Sequence, residues 1–102
     1  MNFDKLIDCI EKDYDNWCDR ANIKYKRDYV YTVELGRKYA KIVKDDGQKS
    51  VWGFVQLVDD KKFRKGDILM AAGWQGPARN KARGNVLDET FDMVNWTGPA
   101  YL

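Results

Sequence analysis

Two β-strands joined by a tight turn are predicted by residues 37–58, RKYAKIVKDDGQKSVWGFVQLV. Polar and apolar side chains alternate over residues 37–44, which is typical of a half-buried strand. Residues 50–58 are more continuously apolar, as expected for a central strand. The intervening DDGQ at residues 45–48 contains a glycine that readily takes the positive φ of a hairpin turn. Gly53 interrupts the second strand and indicates a bulge or a close backbone approach.

Further strands are expected on both sides of this hairpin. Residues 29–35 are rich in β-branched and aromatic side chains and end at Gly36, while residues 68–72 follow a turn. Upstream, apolar side chains recur at steps of three and four, so an amphipathic helix capped by Asn2 is predicted over about residues 3–20. We therefore expect an α+β fold: an N-terminal amphipathic helix packed on a three- to four-stranded antiparallel meander, followed by a Gly/Pro/Arg-rich loop and an irregular C-terminal tail.

Length and composition indicate one domain over residues 1–102, with 44% apolar residues. No apolar run approaches the roughly 18 residues of a membrane span, and the N-terminus lacks the pattern of a signal peptide. Cys9 and Cys18, nine positions apart on one helix, point in opposite directions and cannot form a disulfide within it. These features favour a cytoplasmic protein that makes no membrane contact.

Catalysis is not expected. The sequence contains no histidine, which removes the commonest general base and metal ligand. Its cysteines lack metal-ligand spacing, and no phosphate-binding loop of the P-loop or dinucleotide type is present. The carboxylate pairs at residues 45–46 and 59–60 fall in predicted turns, where aspartate commonly bonds to the local backbone. We predict neither an enzyme nor a cofactor or metal site.

The charge is distributed unevenly. Net charge is only +2, but residues 61–85 carry seven basic side chains and one acidic one, Asp67. Residues 86–102 carry three acidic side chains and no basic one. A basic middle beside an acidic end suggests an anionic partner. A solvated surface without a partner is the alternative interpretation.

The candidate binding segment is residues 73–85, GWQGPARNKARGN. Glycines let the backbone approach a ligand, and guanidinium groups match phosphate oxygens in pairs. Trp74 offers a ring on which a base can stack. We expect the phosphate contacts from Arg79, Lys81 and Arg83, with Gly84 and Asn85 shaping the loop or contacting a base edge. The alternative is a surface loop whose tryptophan plugs the core and whose cations are solvated.

A second group of candidate residues lies on the predicted central strand. Ser50 and Trp52 begin that strand, and Tyr39 and Lys41 are expected opposite them on its hairpin partner. An exposed tryptophan there would extend the site across the sheet. A core position for Trp52 is the alternative.

Three stretches of the sequence resemble a family of small uncharacterised bacteriophage proteins. They are KYAKIV at residues 38–43, SVWGFV at 50–55, and GDILMAAGWQGPARNKARGN at 66–85. The family pattern in the last stretch has G-D-V/I, A-A-x-W-x-x-P-A and a closing R-G-N. The resemblance covers about residues 38–86. It implies a phage origin and a host-cytoplasmic setting, and it marks Trp74, Pro77 and residues 83–85, but it implies no activity.

Three functions are compatible with these observations. The first is a phage-type ligand-binding protein that captures a nucleotide or cyclic-nucleotide signal as a counter-defence measure, in a pocket completed by a second subunit. The second is a single-stranded nucleic-acid-binding protein that uses the same residues along an open groove. The third is an interaction module that inhibits a host enzyme through exposed aromatic side chains. The expected partners are thus an anionic small molecule of the nucleotide class or single-stranded nucleic acid, and a homo-oligomer is possible.

Overall fold

The computed structural model describes residues 1–23 and 29–100. It confirms the predicted α+β class, with one N-terminal helix on a four-stranded antiparallel meander in the order β1-β2-β3-β4. A small C-terminal hairpin follows. Along the chain the elements are α1 (Asp4–Arg20), β1 (Val30–Leu35), β2 (Tyr39–Asp45), β3 (Lys49–Gln56), β4 (Ile68–Leu69), β5 (Val94–Asn95) and β6 (Gly98–Pro99).

Helix α1 forms where the apolar periodicity predicts it. Its buried side chains are Leu6, Ile10, Tyr14 and Cys18, one every four residues, so they form a single stripe facing the sheet. The Asn2 carboxamide oxygen accepts a hydrogen bond from the Asp4 N–H at 2.7 Å, satisfying one backbone donor that the first turn leaves without a helical partner. The described part of the chain contains no membrane-spanning helix, because α1 is neither long nor apolar enough.

The central hairpin closes through the aspartates of its turn. The Asp45 carboxylate accepts from the Gly47 N–H at 3.1 Å, and the Asp46 carboxylate accepts from the Gln48 N–H at the same distance. Gly47 has φ of +101°, a region that residues with a Cβ rarely adopt. The predicted turn is therefore confirmed, with Asp45 paired to Lys49 across the ladder.

Both features that Gly53 predicted are present. The ladder between β2 and β3 shifts register between Ile42 and Val43, which pair with Gly53 and Val51, so that Trp52 is the extra residue. A Cβ at Gly53 would lie 3.0 Å from the Leu69 carbonyl oxygen and 3.0 Å from a Pro99 ring carbon. The bulge turns Trp52 into the core beneath α1, where it is 5% exposed.

The two faces of the meander bury separate apolar clusters. The face toward α1 carries the main core, including Leu6, Ile42 and Trp52. The opposite face carries a smaller cluster of Phe54, Phe63 and Leu69. The chain after β4 supplies Ala71 and Ala82 to the edge of this smaller cluster. The Gly/Pro/Arg-rich segment is therefore partly anchored, and it lies on the side of the sheet away from the helix.

The C-terminal region is more ordered than the expected irregular tail. Strands β5 and β6 form a two-stranded hairpin that packs against α1 and β3. The Asp13 carboxylate accepts from the Trp96 N–H at 2.9 Å, and the Trp52 indole N–H donates to the Asn95 carbonyl at 2.9 Å. These side-chain bonds join three segments that are distant in sequence, which periodicity within one segment does not reveal.

Candidate functional site

The glycine-rich segment leaves β4 as a tight loop with Trp74 near its tip. The Ala72 N–H donates to the Gly76 carbonyl at 3.1 Å, and the Ala78 N–H donates to the Met70 carbonyl at 2.7 Å. The loop carries the Trp74 side chain into solvent, where it is 40% exposed. Trp74 is therefore on the surface, as the binding hypothesis requires.

Arg83 lies inside the protein. It is 1% exposed, the largest fully buried side chain among the described residues. Its Nη1 donates to the Lys81 carbonyl at 2.7 Å and to the Asn80 side-chain oxygen at 2.6 Å, and its Nε donates to the Ala100 carbonyl at 3.0 Å. The guanidinium thus joins the loop to the C-terminal hairpin and is not presented to solvent, contrary to the expected outward orientation.

Gly84 and Asn85 organise the backbone beside β4. Asn85 is 3% exposed and its carboxamide donates to Asp67 at 2.9 Å, while its oxygen accepts from the backbone of Leu87 at 2.8 Å. Gly84 has φ of +142°, and a Cβ there would lie 2.1 Å from the Thr90 carbonyl oxygen. These residues hold a turn, and their polar groups are occupied by the chain itself.

The remaining sequence-predicted residues are dispersed. Trp52 is in the core, whereas Ser50 is exposed near the β2–β3 turn and pairs with Lys44. Lys81 is exposed, and its backbone N–H is bonded to the Asn80 side chain. The structure therefore does not gather all eight predicted residues into one site.

Arg79 stays near the surface but already has an anionic partner. Its Nη2 lies 2.6 Å from the Asp60 carboxylate, and its Nη1 donates to the Tyr39 hydroxyl. The guanidinium also lies 4.9 Å from the centre of the Phe63 ring. The ion pair and the two rings fix Arg79 over the smaller apolar cluster, and the bond to Asp60 raises the pKa of Arg79 above its ordinary value.

Asp60 is the anion of this region, and the binding hypothesis did not anticipate it. Its carboxylate accepts from the backbone N–H groups of Phe63 at 2.8 Å and Lys62 at 2.9 Å. It also lies 3.2 Å from the Lys38 ammonium. The two backbone donors, followed by Arg79, hold the pKa of the Asp60 carboxyl well below its usual value. The role of Asp60 in the turn was predictable from the local sequence. Its bond to Arg79, 19 positions away, was not.

A groove opens beside these residues on the face of the sheet away from α1. It has a volume of about 240 Å³ and is lined by residues 34–39, Lys41, Phe54 and Gln75. The Lys41 ammonium stands 4.2 Å from the centre of the Trp74 ring, within the range of a cation–π contact. The groove thus joins strand residues to the tip of the glycine-rich loop.

Three basic side chains, Arg37, Lys38 and Lys41, line the groove together with one acidic side chain, Glu34. They lie beside the rings of Tyr39 and Phe54, which meet edge to face at 6.1 Å. Tyr39 and Lys41 were expected opposite Ser50 and Trp52, as an extension of the site, but the ladder pairs them with Gln56 and Phe54. The signal that indicates Tyr39 and Lys41 is the strand period of two, which puts both on the face that carries Phe54.

Across residues 1–23 and 29–100, no group of three His, Cys, Asp or Glu side chains is arranged to hold a metal ion. No curated protein and no solved structure is similar to the chain. One family model matches residues 2–102, so the chain belongs to DUF7717, a family of unknown function.

Proposed function

We propose that this chain is a non-catalytic binding protein whose ligand is an anion carrying aromatic rings. Single-stranded nucleic acid is the class that suits the groove best. The observation that carries the proposal is the exposed Trp74 ring, 40% accessible, with the Lys41 ammonium 4.2 Å from its centre at the side of a basic groove. A ring beside a cation matches the two recurring parts of a nucleotide, the base and the phosphate.

The electrostatics of the groove favour a polyanion over a single phosphate. Arg79 and Lys38 share the carboxylate of Asp60, at 2.6 and 3.2 Å. Lys41 and Arg37 line the groove with Lys38, so three cations outnumber the single lining carboxylate of Glu34, and Arg79 lies beside the groove. A ligand with several phosphates can meet each of these cations separately along its backbone. A ligand with one phosphate would have to compete with Asp60 for the strongest donors.

The shape of the groove supports an extended ligand as well. A small-molecule pocket usually has a volume of about 300–1,000 Å³ and encloses most of its ligand. The groove here has about 240 Å³ and is open to solvent along the sheet. The nucleotide-capture hypothesis requires an enclosed site, so it ranks second, and the residues that it placed at the phosphate include the buried Arg83.

The biological setting of the proposal rests on the resemblance of residues 38–86 to small bacteriophage proteins. We propose a phage-encoded protein acting in the host cytoplasm, where binding a single strand or a nucleotide signal would interfere with a host defence. Family membership over residues 2–102 is compatible with this setting, and the family itself is described only as of unknown function.

Fluorescence anisotropy with labelled single-stranded oligonucleotides tests the proposal. We expect binding that weakens linearly in log–log plots against salt, with a slope of about −0.7 per phosphate contacted. Lys41→Gln should make the slope shallower by about 0.7, the equivalent of one phosphate contact. Lys12→Gln is the matched control, because Lys12 is exposed on α1, across the sheet from the groove.

The same experiment separates the alternatives. If oligonucleotides do not bind but mono- or cyclic nucleotides raise the melting temperature, nucleotide capture replaces the proposal. If neither class binds, the inhibitor hypothesis becomes the leading one. Equal effects of Lys41→Gln and Lys12→Gln on oligonucleotide affinity would place the site elsewhere on the protein.

A further inference from the structure

We propose that strand β1 pairs with β1 of a second copy of this chain, forming a two-fold dimer with one continuous eight-stranded sheet. The inference goes beyond the proposed function and does not rest on it. The two edges of the meander differ in how far other segments of the chain cover them.

The chain itself covers the edge at β4. The Ile68 N–H donates to the Gly84 carbonyl at 2.9 Å, and the Arg83 N–H donates back to the Ile68 carbonyl at 2.8 Å. Strand β4 has only two residues, and the returning segment satisfies the backbone N–H and carbonyl of Ile68. This edge therefore has little capacity to accept another strand.

Among the described residues, the edge at β1 carries one charged side chain, Glu34, and no other usual protective feature. In the described part of the chain, this six-residue strand pairs with β2 alone, in an unbroken register. Its sequence, VYTVEL, contains no proline and no lysine, and its ladder contains no bulge. Natural edge strands usually combine features of this kind with charged side chains, because a weakly protected edge pairs with other strands. Val30 and Leu35, at its two ends, are 60% and 72% exposed.

The pattern of β1 makes a second β1 a suitable occupant. Tyr31 and Val33 pack against the core on the helix side, and Leu35 lies on the same face of the strand. The row on this face, Tyr31, Val33 and Leu35, has no charged side chain. The row on the opposite face, Val30, Thr32 and Glu34, holds the single charged residue of the strand. Glu34 is paired in register with Lys41 of its own sheet, so the charge has a neighbouring cation within each copy. A partner strand must therefore present one apolar row and one nearly neutral row, and β1 presents both.

Symmetry then selects the register. A two-fold axis perpendicular to the sheet keeps each row on its own face, so odd residues meet odd residues. Centring the axis on Val33 sets the two Val33 side chains together and each Leu35 against Tyr31 of the second copy. It also sets Glu34 opposite the Thr32 hydroxyl. Centring on Thr32 would instead set Glu34 against Val30, leaving a carboxylate beside an apolar side chain.

The same axis places both grooves on one side of the joined sheet. Each groove is lined at one end by residues 34–36, directly after the shared strand. The dimer would therefore offer two basic grooves flanking the two-fold axis. The dimer itself can be tested without any ligand.

Sedimentation equilibrium of the full chain over a concentration series is the test. We expect a species of twice the 11.9 kDa chain mass. Leu35→Lys should raise the dissociation constant by at least about tenfold, the equivalent of 1.4 kcal/mol. Leu87→Lys is the matched control, because Leu87 is an exposed leucine, 55% accessible, outside β1. A wild-type chain that remains monomeric throughout, or equal effects of the two leucine substitutions, would overturn the proposal.

A charge-pairing experiment tests the two-fold register. V33K and V33E chains should each be monomeric, since like charges would meet at the axis, whereas an equimolar mixture should associate. Circular dichroism checks that both variants fold. If both fold and the mixture stays monomeric, the register centred on Val33 is wrong. If either fails to fold, the comparison of the two leucine variants decides the proposal.

Discussion

The Asp60 carboxylate lies 2.6 Å from the Arg79 guanidinium, so this cation of the candidate site is bonded to an anion of the same chain. Lys38 shares that carboxylate at 3.2 Å. In the proposed complex, Asp60 therefore competes with ligand phosphates for these two residues. Its backbone bonds to Lys62 and Phe63 make it part of a turn as well, so one side chain contributes both to structure and to the charge of the groove.

Replacing Asp60 with asparagine should strengthen oligonucleotide binding. An asparagine oxygen can still accept the two backbone bonds of the turn, so the turn is retained while the negative charge is removed. Arg79 and Lys38 then become available to phosphates, and we expect the salt slope to steepen by about 0.7 for each added contact. Anisotropy titrations at several salt concentrations measure both effects. An unchanged slope together with an unchanged affinity would show that these cations do not contact the ligand.

The same substitution should alter the response of stability to acid. The native pKa of Asp60 lies below the ordinary value of about 3.9, so its ionised form stabilises the fold above that pH. This contribution is lost as the pH falls toward the native pKa. We therefore expect the wild-type chain to lose more stability on acidification below about pH 4 than Asp60→Asn does. Urea unfolding across a pH series is the measurement, with Asp46→Asn as a turn-aspartate control. Parallel curves for the wild type and Asp60→Asn would contradict the prediction.

Trp74→Ala should weaken binding without destabilising the fold. The side chain is 40% exposed at a loop tip, and surface substitutions usually change stability by no more than about 0.5 kcal/mol. Loss of a stacking ring costs about 1–3 kcal/mol of binding in comparable systems, or roughly 5- to 150-fold in affinity. Trp74→Phe keeps a ring and should retain most of the affinity. Thermal melts and anisotropy together check this, and full affinity in the alanine variant would exclude stacking on Trp74.

Replacing two glycines of the same segment with alanine should affect stability to very different extents. At Gly84, φ is +142° and the new Cβ would lie 2.1 Å from the Thr90 carbonyl oxygen, so backbone must move and we expect a loss of at least about 2 kcal/mol. At Gly73 a Cβ meets nothing within 4 Å, so Gly73→Ala should change stability by no more than about 0.5 kcal/mol. Denaturant unfolding measures both. Equal losses for the two substitutions would contradict the prediction.

Local patterns were sufficient to predict the main elements of the fold. The helix follows from an apolar stripe, and the β2–β3 hairpin follows from an alternating segment and a more continuously apolar segment on either side of Gly47. Each signal is contained within a few neighbouring residues, so no knowledge of distant contacts is needed. Gly53 was informative for the same reason, because a glycine inside a strand pattern indicates a local backbone requirement.

The composition of the candidate site was less predictable, because it depends on which polar groups meet across the chain. Arg79 and Arg83 are equivalent in the sequence, four positions apart in a basic loop. In the structure one pairs with Asp60 near the surface, and the other is buried against backbone carbonyls of Lys81 and Ala100. Long-range packing makes this distinction, and nothing in the spacing of the loop residues reveals it.

Arg83→Lys should therefore destabilise the fold rather than change ligand contacts. A lysine ammonium cannot reproduce the planar set of donors that reaches Lys81, Asn80 and Ala100, so buried acceptors lose their bonds at about 1–3 kcal/mol each. We expect a clear fall in the urea midpoint. The matched control is Lys81→Ala, an exposed cation two positions away, which should leave stability within about 0.5 kcal/mol. Affinity measured well below the melting temperature should be the same in Arg83→Lys and the wild type. A variant with unchanged stability and weakened oligonucleotide binding would instead restore Arg83 to the binding site.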